Sequence, residues 1–247
     1  MPSAEFLVID NSNSFTKFAL SSRTELGAVR RVRTAELDAV SLRRTLRGWK
    51  FARTVLCSVV PEKAKLIRRC LAGLEIHEVT HRSRLGVGID YPQPKSIGAD
   101  RLANAASAIA FYGAPCVVVD FGTAVTFDIL GPERNYVGGV IAPGLEAMTD
   151  YLHQRTALLP KITLLEPPSA VGKSSKHAML AGAVYGYRGL VREILAEIRK
   201  ELGVKRLKVI GTGGYAELIG AGVKEISTIH EHLTLEGLRL IGGLNFP

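Results

Sequence analysis

Two stretches of this 247-residue chain share one design, and together they limit the folds open to it. In the first, the apolar run Phe6, Leu7, Val8 and Ile9 ends in Asp10. Small polar residues follow, and the chain returns as Phe18, Ala19 and Leu20. In the second, Cys116–Val119 ends in Asp120, turns through Gly122 and Thr123, and returns as Phe127, Asp128, Ile129 and Leu130. Each is a strand ending in a carboxylate, a tight turn of small residues and a returning strand. Such a turn lets backbone N–H groups and hydroxyls approach an anion such as phosphate, while the Asp can hold a cation against the same oxygens. Two copies imply a duplicated half, with a ligand held between the halves.

Length and composition permit this. The chain can hold one large domain or two small ones, and 47% hydrophobic residues are enough for packed cores. No apolar run reaches membrane-spanning length, and Met1, Pro2, Ser3, Ala4 and Glu5 carry no basic leader. Cys57, Cys70 and Cys116 lack metal-ligand spacing, and the apolar runs around Cys57 and Cys116 point to buried free thiols. The expectation is a reduced, cytoplasmic, soluble protein without a membrane partner. Net charge is +9, with Arg30, Arg31, Arg33, Arg43, Arg44, Arg47, Lys50 and Arg53 clustered early. That cluster is either a nucleic-acid surface or a solvated strand edge and helix face whose field attracts anionic ligands. Few aromatics interleave with it and no nucleic-acid signature is present, so no nucleic-acid partner is expected.

The order of elements is α/β. Residues 5–11, 14–21 and 26–34 read as a three-strand meander, and Thr34 or Asp38 caps a helix running to about Arg47. A strand over 51–60 leads into a helix opened by Pro61, then a strand over 74–80. Residues 81–97 read as a loop and 99–112 as a helix of small residues. The pattern then restarts: strands near 116–121, 125–130 and 136–141, a helix over 144–156, a long helix over 174–202, a strand over 206–211 and a final helix from Thr234. Given twice, this is the order of an actin-like (ribonuclease H-like) two-domain fold with a nucleotide cleft between the domains. The domains are expected at 1–112 and 113–247, with a hinge near 110–114.

The motifs resemble those of the type III pantothenate kinase family, of the acetate and sugar kinase/Hsp70/actin superfamily. The family's first phosphate loop, Asp-x-Gly-Asn-(Thr/Ser)-x-x-(Lys/Arg), is matched by Asp10, Asn11, Ser12, Asn13, Ser14, Phe15, Thr16 and Lys17. Its Ser-Val-x-Pro turn is matched by Ser58–Pro61. Its pantothenate segment is matched by Tyr91, Pro94, Ile97, Gly98, Ala99, Asp100 and Arg101, with Asn104 following. Asp120–Ala124, Gly138–Gly144, Leu158–Pro160 and Thr212–Gly214 complete the series in order. Ser12 departs from the family's Gly. If the position needs a left-handed backbone, a side chain there costs on the order of 1 kcal/mol; alternatively its hydroxyl adds a donor. Ser175 stands where the family has Thr.

The resemblance implies phosphorylation of pantothenate by ATP, the entry to coenzyme A, with Mg²⁺ and a monovalent cation, K⁺ or NH₄⁺. It implies Asp100 as the base that accepts the hydroxyl proton. Tyr91, Gly98, Ala99, Arg101 and Ser175 would face pantothenate. Asp10 would lie on the Mg²⁺ side, directly or through water. Asn11, Ser12, Asn13, Ser14, Phe15, Thr16, Lys17 and Thr123 would hold the nucleotide, and Asp120 the monovalent cation. It also implies a homodimer whose partner chain closes the pocket. The residues alone admit plainer roles: Asp10 as a turn cap, Asp100 as an acid favouring a helix start, and Gly213 and Gly214 as a strand terminator. Two other classes remain, a kinase for a sugar or acetate and a non-catalytic transcription-accessory relative.

Overall fold

Strand β1 (Phe6–Asn11) is buried along its whole length, so its side chains must be covered on both faces of a sheet. The computed structural model describes residues 4–247; residues 1–3, on which part of the N-terminal reading rests, lie outside the described residues. β1 pairs antiparallel with β2 (Phe15–Ser21), which pairs antiparallel with β3 (Leu26–Arg33). On its other side β1 pairs in parallel with β4 (Arg53–Ser58), and β4 with β5 (Glu75–Glu78). The sheet order is β3-β2-β1-β4-β5.

Leu7 and Ile9 of β1 join Phe18, Leu56, Leu37, Leu42, Ala64 and Ile67 in one core cluster. Leu42 lies on helix α1 (Ala39–Leu46), and Ala64 and Ile67 on α2 (Pro61–Cys70), so these two helices cover that face. Of the two candidate caps, Asp38 starts α1: its carboxylate accepts from Ser41 N at 2.7 Å and its own N–H donates to Ser41 Oγ at 2.8 Å. Thr34 instead begins a short 3₁₀ turn over Thr34–Glu36. Helix α3 (Ala99–Tyr112) and the last helix, α7 (Leu233–Asn245), pack against each other. A Cβ on Gly237 would lie 1.9 Å from the Ala103 carbonyl oxygen, so α7 reaches α3 closely only because this residue is Gly. Asn104, fully buried on α3, accepts the Thr234 hydroxyl at 2.8 Å and joins the two helices.

The segment expected as a loop over 81–97 holds a two-residue strand, β6 (Gly88–Ile89), and a 3₁₀ turn over Pro94–Ser96. The second half of the chain begins with β7 (Cys116–Phe121) and β8 (Ala124–Leu130), an antiparallel hairpin, followed by β9 (Asn135–Pro143). Helix α4 (Leu145–Arg155) and the long α5 (Ser175–Glu201) precede β10 (Lys208–Thr212), which is parallel to β7. A short α6 (Ala216–Gly220) and β11 (Thr228–Ile229) follow. Val117, Val119, Phe127, Val184, Tyr187, Val191 and Ile219 form the core here. Cys57 and Cys116 are buried and form no disulfide.

The chain divides into two compact units. One holds residues through Gly113, Arg134–Gly138 and His232–Pro247; the other holds Ala114–Glu133 and Gly139–Glu231. Helix α7 thus returns to the first unit. Among the described residues, no helix is long and apolar enough to cross a membrane.

Candidate active site

In the first unit the site grows out of the β1–β2 turn. Ser12 N donates to Phe15 O at 3.2 Å and closes it. The end of β3 braces it from outside: Thr34 N donates to Ser14 O at 3.0 Å, and the Thr34 hydroxyl to Ser12 O at 2.7 Å. Beneath the turn, Asn11 Nδ2 donates to Thr16 Oγ1 at 2.8 Å and Ser58 Oγ to Asn11 Oδ1 at 2.7 Å. Asn11 and Thr16 are fully buried. Their side chains therefore set the shape of the loop from below, while Asn13 and Ser14 stand exposed at its tip.

The substitution at Ser12 carries no backbone strain. Among the described residues the only non-glycine with positive φ is Arg134, so Ser12 has an ordinary conformation. Its hydroxyl donates to Asp10 Oδ1 at 2.7 Å. The side chain thus orients the carboxylate at the strand end. Asp10 itself is only 3% exposed.

Register then sets a row of side chains across one sheet face. Asp10 lies opposite Cys57 of β4 and Lys17 of β2, and Lys17 lies opposite Arg31 of β3. Directly opposed residues share a face, so thiol, carboxylate, ammonium and guanidinium follow one another at strand spacing. The Cys57 thiol is pushed well up, first by burial and then by the Asp10 and Asp100 carboxylates. Both carboxylates therefore act on one buried atom, although they are far apart in sequence.

Asp100 sits in the first turn of α3, whose N-cap is Gly98. Its Oδ1 accepts from Arg101 N at 2.8 Å. Burial raises its pKa above the ordinary carboxylate value, against the opposing pull of the Arg101 N–H and guanidinium. A Cβ on Gly98 would lie 2.5 Å from Asp100 Oδ1, so glycine leaves room for the carboxylate. Tyr91, half exposed, meets Tyr136 edge-on at 6.1 Å between centroids, and the Arg101 guanidinium lies 5.7 Å from the centre of the Tyr136 ring. Tyr136 was not a sequence candidate. It is brought here because Gly88 and Ile89 pair with Asn135 and Tyr136, and Asp90 N donates to Tyr136 O at 2.9 Å. Only that two-residue ladder carries the signal, and no motif spacing predicts it.

In the second unit, Asp120 is the next-to-last residue of β7 and the exposed Thr123 lies in the turn that follows. Gly144 N donates to Thr123 O at 3.1 Å, and a Cβ on Gly144 would stand 2.2 Å from that oxygen. Gly213 has φ +91, and a Cβ there would lie 2.5 Å from Asp120 Oδ1 and 2.7 Å from the Phe121 backbone. Gly213 therefore both terminates β10 and preserves space beside a carboxylate. Tyr215 donates its hydroxyl to Glu146 at the start of α4, and burial followed by that carboxylate pushes the phenol well up. Ser175 is the exposed first residue of α5, next to Ser174, whose hydroxyl caps the helix by accepting from His177 N at 3.2 Å. It belongs to a different unit from Tyr91, Gly98, Ala99, Asp100 and Arg101.

Two sheets, each with an Asp one residue before the end of a strand and a turn braced by its neighbours, define an actin-like α/β fold. Comparison with known proteins narrows this. A family model described as type III pantothenate kinase matches residues 6–197. A type III pantothenate kinase of Akkermansia muciniphila is 54% identical over 97% of this chain and 99% of that protein. One from Methylacidiphilum infernorum is 41% identical over 96% of this chain and 87% of its own length. Among solved structures, a conserved protein assigned to the Baf family of transcriptional activators, from Campylobacter jejuni, superposes with a TM-score of 0.60 at 16% identity, covering 96% of this chain and 97% of its own. At that identity the likeness speaks for the fold alone. The chain belongs to the type III pantothenate kinase family.

Proposed function

We propose that this chain transfers the γ-phosphoryl group of ATP to the terminal hydroxyl of pantothenate, giving ADP and 4′-phosphopantothenate, with Asp100 as base. The observation that carries the proposal is the family match over residues 6–197, and the base is assigned to Asp100 because it stands in the first turn of α3 two residues after Gly98, whose missing Cβ leaves room for its carboxylate. Phosphoryl transfer needs alignment and charge neutralisation more than covalent help. The hydroxyl oxygen bonds to the γ-phosphorus as the bond to the β,γ-bridging oxygen breaks, and the hydroxyl proton passes to Asp100. A carboxylate of raised pKa is a better acceptor than an ordinary aspartate. Tyr91, Gly98, Ala99, Arg101 and Ser175 are proposed to contact pantothenate.

A kinase of this family uses ATP with a divalent metal. Asp10, almost fully buried and steered by the Ser12 hydroxyl, is proposed to hold Mg²⁺ directly or through water. One carboxylate ligand is enough for Mg²⁺, an ion that takes few protein ligands and keeps several waters, and the ion would neutralise phosphate charge. Asn13, Ser14 and Lys17 are proposed to contact the phosphates, with Asn11 and Thr16 supporting them from below and Phe15 flanking the loop. Thr123 is proposed as the nucleotide contact of the second turn. Asp120, whose carboxylate packs against Gly213, is proposed to hold a monovalent cation, K⁺ or NH₄⁺.

A homodimer is proposed as well. The second unit exposes Ile141, Tyr151, Leu158 and Val171, Leu158 to 90%. On α5 a Cβ at Gly182 or Gly186 would meet nothing, which leaves this face open to another helix. Sedimentation of the purified protein tests this, and a monomer at micromolar concentration would remove it. The function itself is tested by ADP release with ATP, Mg²⁺ and pantothenate, with K⁺ or NH₄⁺ against Na⁺. Pantothenate-dependent release that rises with K⁺ or NH₄⁺ is the expected result. Equal rates in all three salts would remove Asp120 as cation ligand, and no release from folded protein would overturn the kinase.

A further inference from the structure

Strand β3 carries three arginines whose surroundings differ by face. Arg30 is spent on the scaffold: it donates to the Thr45 and Arg47 carbonyl oxygens, and its guanidinium lies 4.1 Å from the centre of the Trp49 ring. That satisfies carbonyls at the end of α1. Arg31 and Arg33 lie on the opposite face by strand alternation. Both guanidiniums stand over one ring, that of Phe15, at 5.2 and 5.8 Å from its centroid. Both side chains are exposed, and neither pairs with a carboxylate among the described residues. Lys17 lies opposite Arg31, and Phe15 opposite Arg33.

Three cations thus occupy two register pairs that follow one another on the same face, beside the first phosphate turn. Two guanidiniums on one ring repel each other, and an anion between them relieves that repulsion with bidentate hydrogen bonds. The ring attracts each cation and holds it in place when no anion is bound. The location selects the anion. Thr34, next to Arg33, hydrogen bonds both Ser12 and Ser14, so the end of β3 and the turn are one braced unit.

We propose that Arg31 and Arg33, held on the Phe15 ring, position the phosphate chain of the bound nucleotide, extending the row Asp10, Lys17 outward from the turn. This rests on the kinase reading above. The Arg31→Gln/Arg33→Gln double variant is compared with wild type for the KM of ATP, the KM of pantothenate and kcat. Calorimetric binding of ADP and of adenosine is measured alongside. Loss of two exposed charge contacts is expected to raise the ATP KM about tenfold, with each single variant contributing about threefold. The fall in kcat and any change in pantothenate KM should be smaller. ADP affinity should fall while adenosine affinity holds. Phe15→Leu, which keeps both charges but removes the platform, should raise the ATP KM in the same direction.

An unchanged ATP KM and ADP affinity in a folded double variant would overturn the inference. So would loss of binding to a short duplex DNA with ADP binding intact, which would make this a nucleic-acid surface. If wild type released no ADP with pantothenate, the kinase reading would fail, while ADP binding would still report on the two arginines.

Discussion

Gly98→Ala isolates the position of the proposed base from the stability of the fold. Gly98 has φ −58 and ψ 142, a conformation that alanine adopts freely, so the backbone bears no strain. The added Cβ would lie 2.5 Å from Asp100 Oδ1 and 3.7 Å from the Arg101 side chain. Only the carboxylate is in the way, and it sits at the end of a side chain that can turn. To reach ordinary contact it must withdraw by roughly 1 Å, and a misplacement of that size costs about a hundredfold in rate. Replacing an N-cap glycine by alanine costs up to about 1 kcal/mol in stability. Gly98→Ala should therefore keep a melting temperature within several degrees of wild type while kcat with saturating ATP and pantothenate falls about a hundredfold. Steady-state ADP release and differential scanning calorimetry on one preparation measure both. A folded variant with kcat within threefold of wild type would refute the placement of Asp100 as the base.

Other perturbations follow from the same geometry. Asp100→Asn should abolish turnover and, at neutral pH, raise thermal stability. Burial lifts the folded carboxyl's pKa above 3.8, so ionisation penalises the fold above that raised value and the penalty fades as pH falls through it. A variant no more stable at neutral pH than at acid pH, relative to wild type, would contradict the burial argument. Because the base must be ionised, the acid limb of wild-type kcat should lie above the ordinary aspartate value, and a limb at or below it would contradict the assignment. Ser12→Ala removes a 2.7 Å hydrogen bond to Asp10 and should cost about 1 kcal/mol in urea unfolding and raise the ATP KM. Unchanged values of both would show that the hydroxyl does not orient Asp10. Gly213→Ala meets a left-handed backbone costing about 1–2 kcal/mol and a collision with Asp120 and Phe121. It should lower the melting temperature and abolish the response to K⁺ or NH₄⁺; a normal cation response would separate Gly213 from the cation site.

Much of this architecture was legible in the sequence because the signals are local. Apolar runs ending in Asp10 and Asp120 mark two strand-turn units, since burial and a capping carboxylate each act within a few residues. Pro61 and Ser174 mark where helices start, and α3 spans Ala99–Tyr112 as its small-residue run predicts. Asp100 and Arg101 were named from their motif, and they lie together at that helix start. Local pattern also misled. The stretch over 81–97 reads as a loop because a two-residue strand has too few positions to show alternation.

Everything that depends on register waited for the tertiary structure. Nothing in the sequence says that Asp10 faces Cys57 on one side and Lys17 and Arg31 on the other, because one residue of slip would send each side chain to the opposite face. Nothing says that Tyr136 meets Tyr91 and Arg101, that Asn104 accepts a hydroxyl from Thr234, or that α7 returns to the first unit. The Ser12 departure was undecidable by sequence, since the cost of a side chain there depends on a backbone angle and its benefit on a carboxylate oxygen 2.7 Å away. The chain alone determined which residues could do the chemistry, through composition and short-range pattern. Tertiary structure decided which of them meet, because contacts between distant segments are set by the pairing and packing of whole elements.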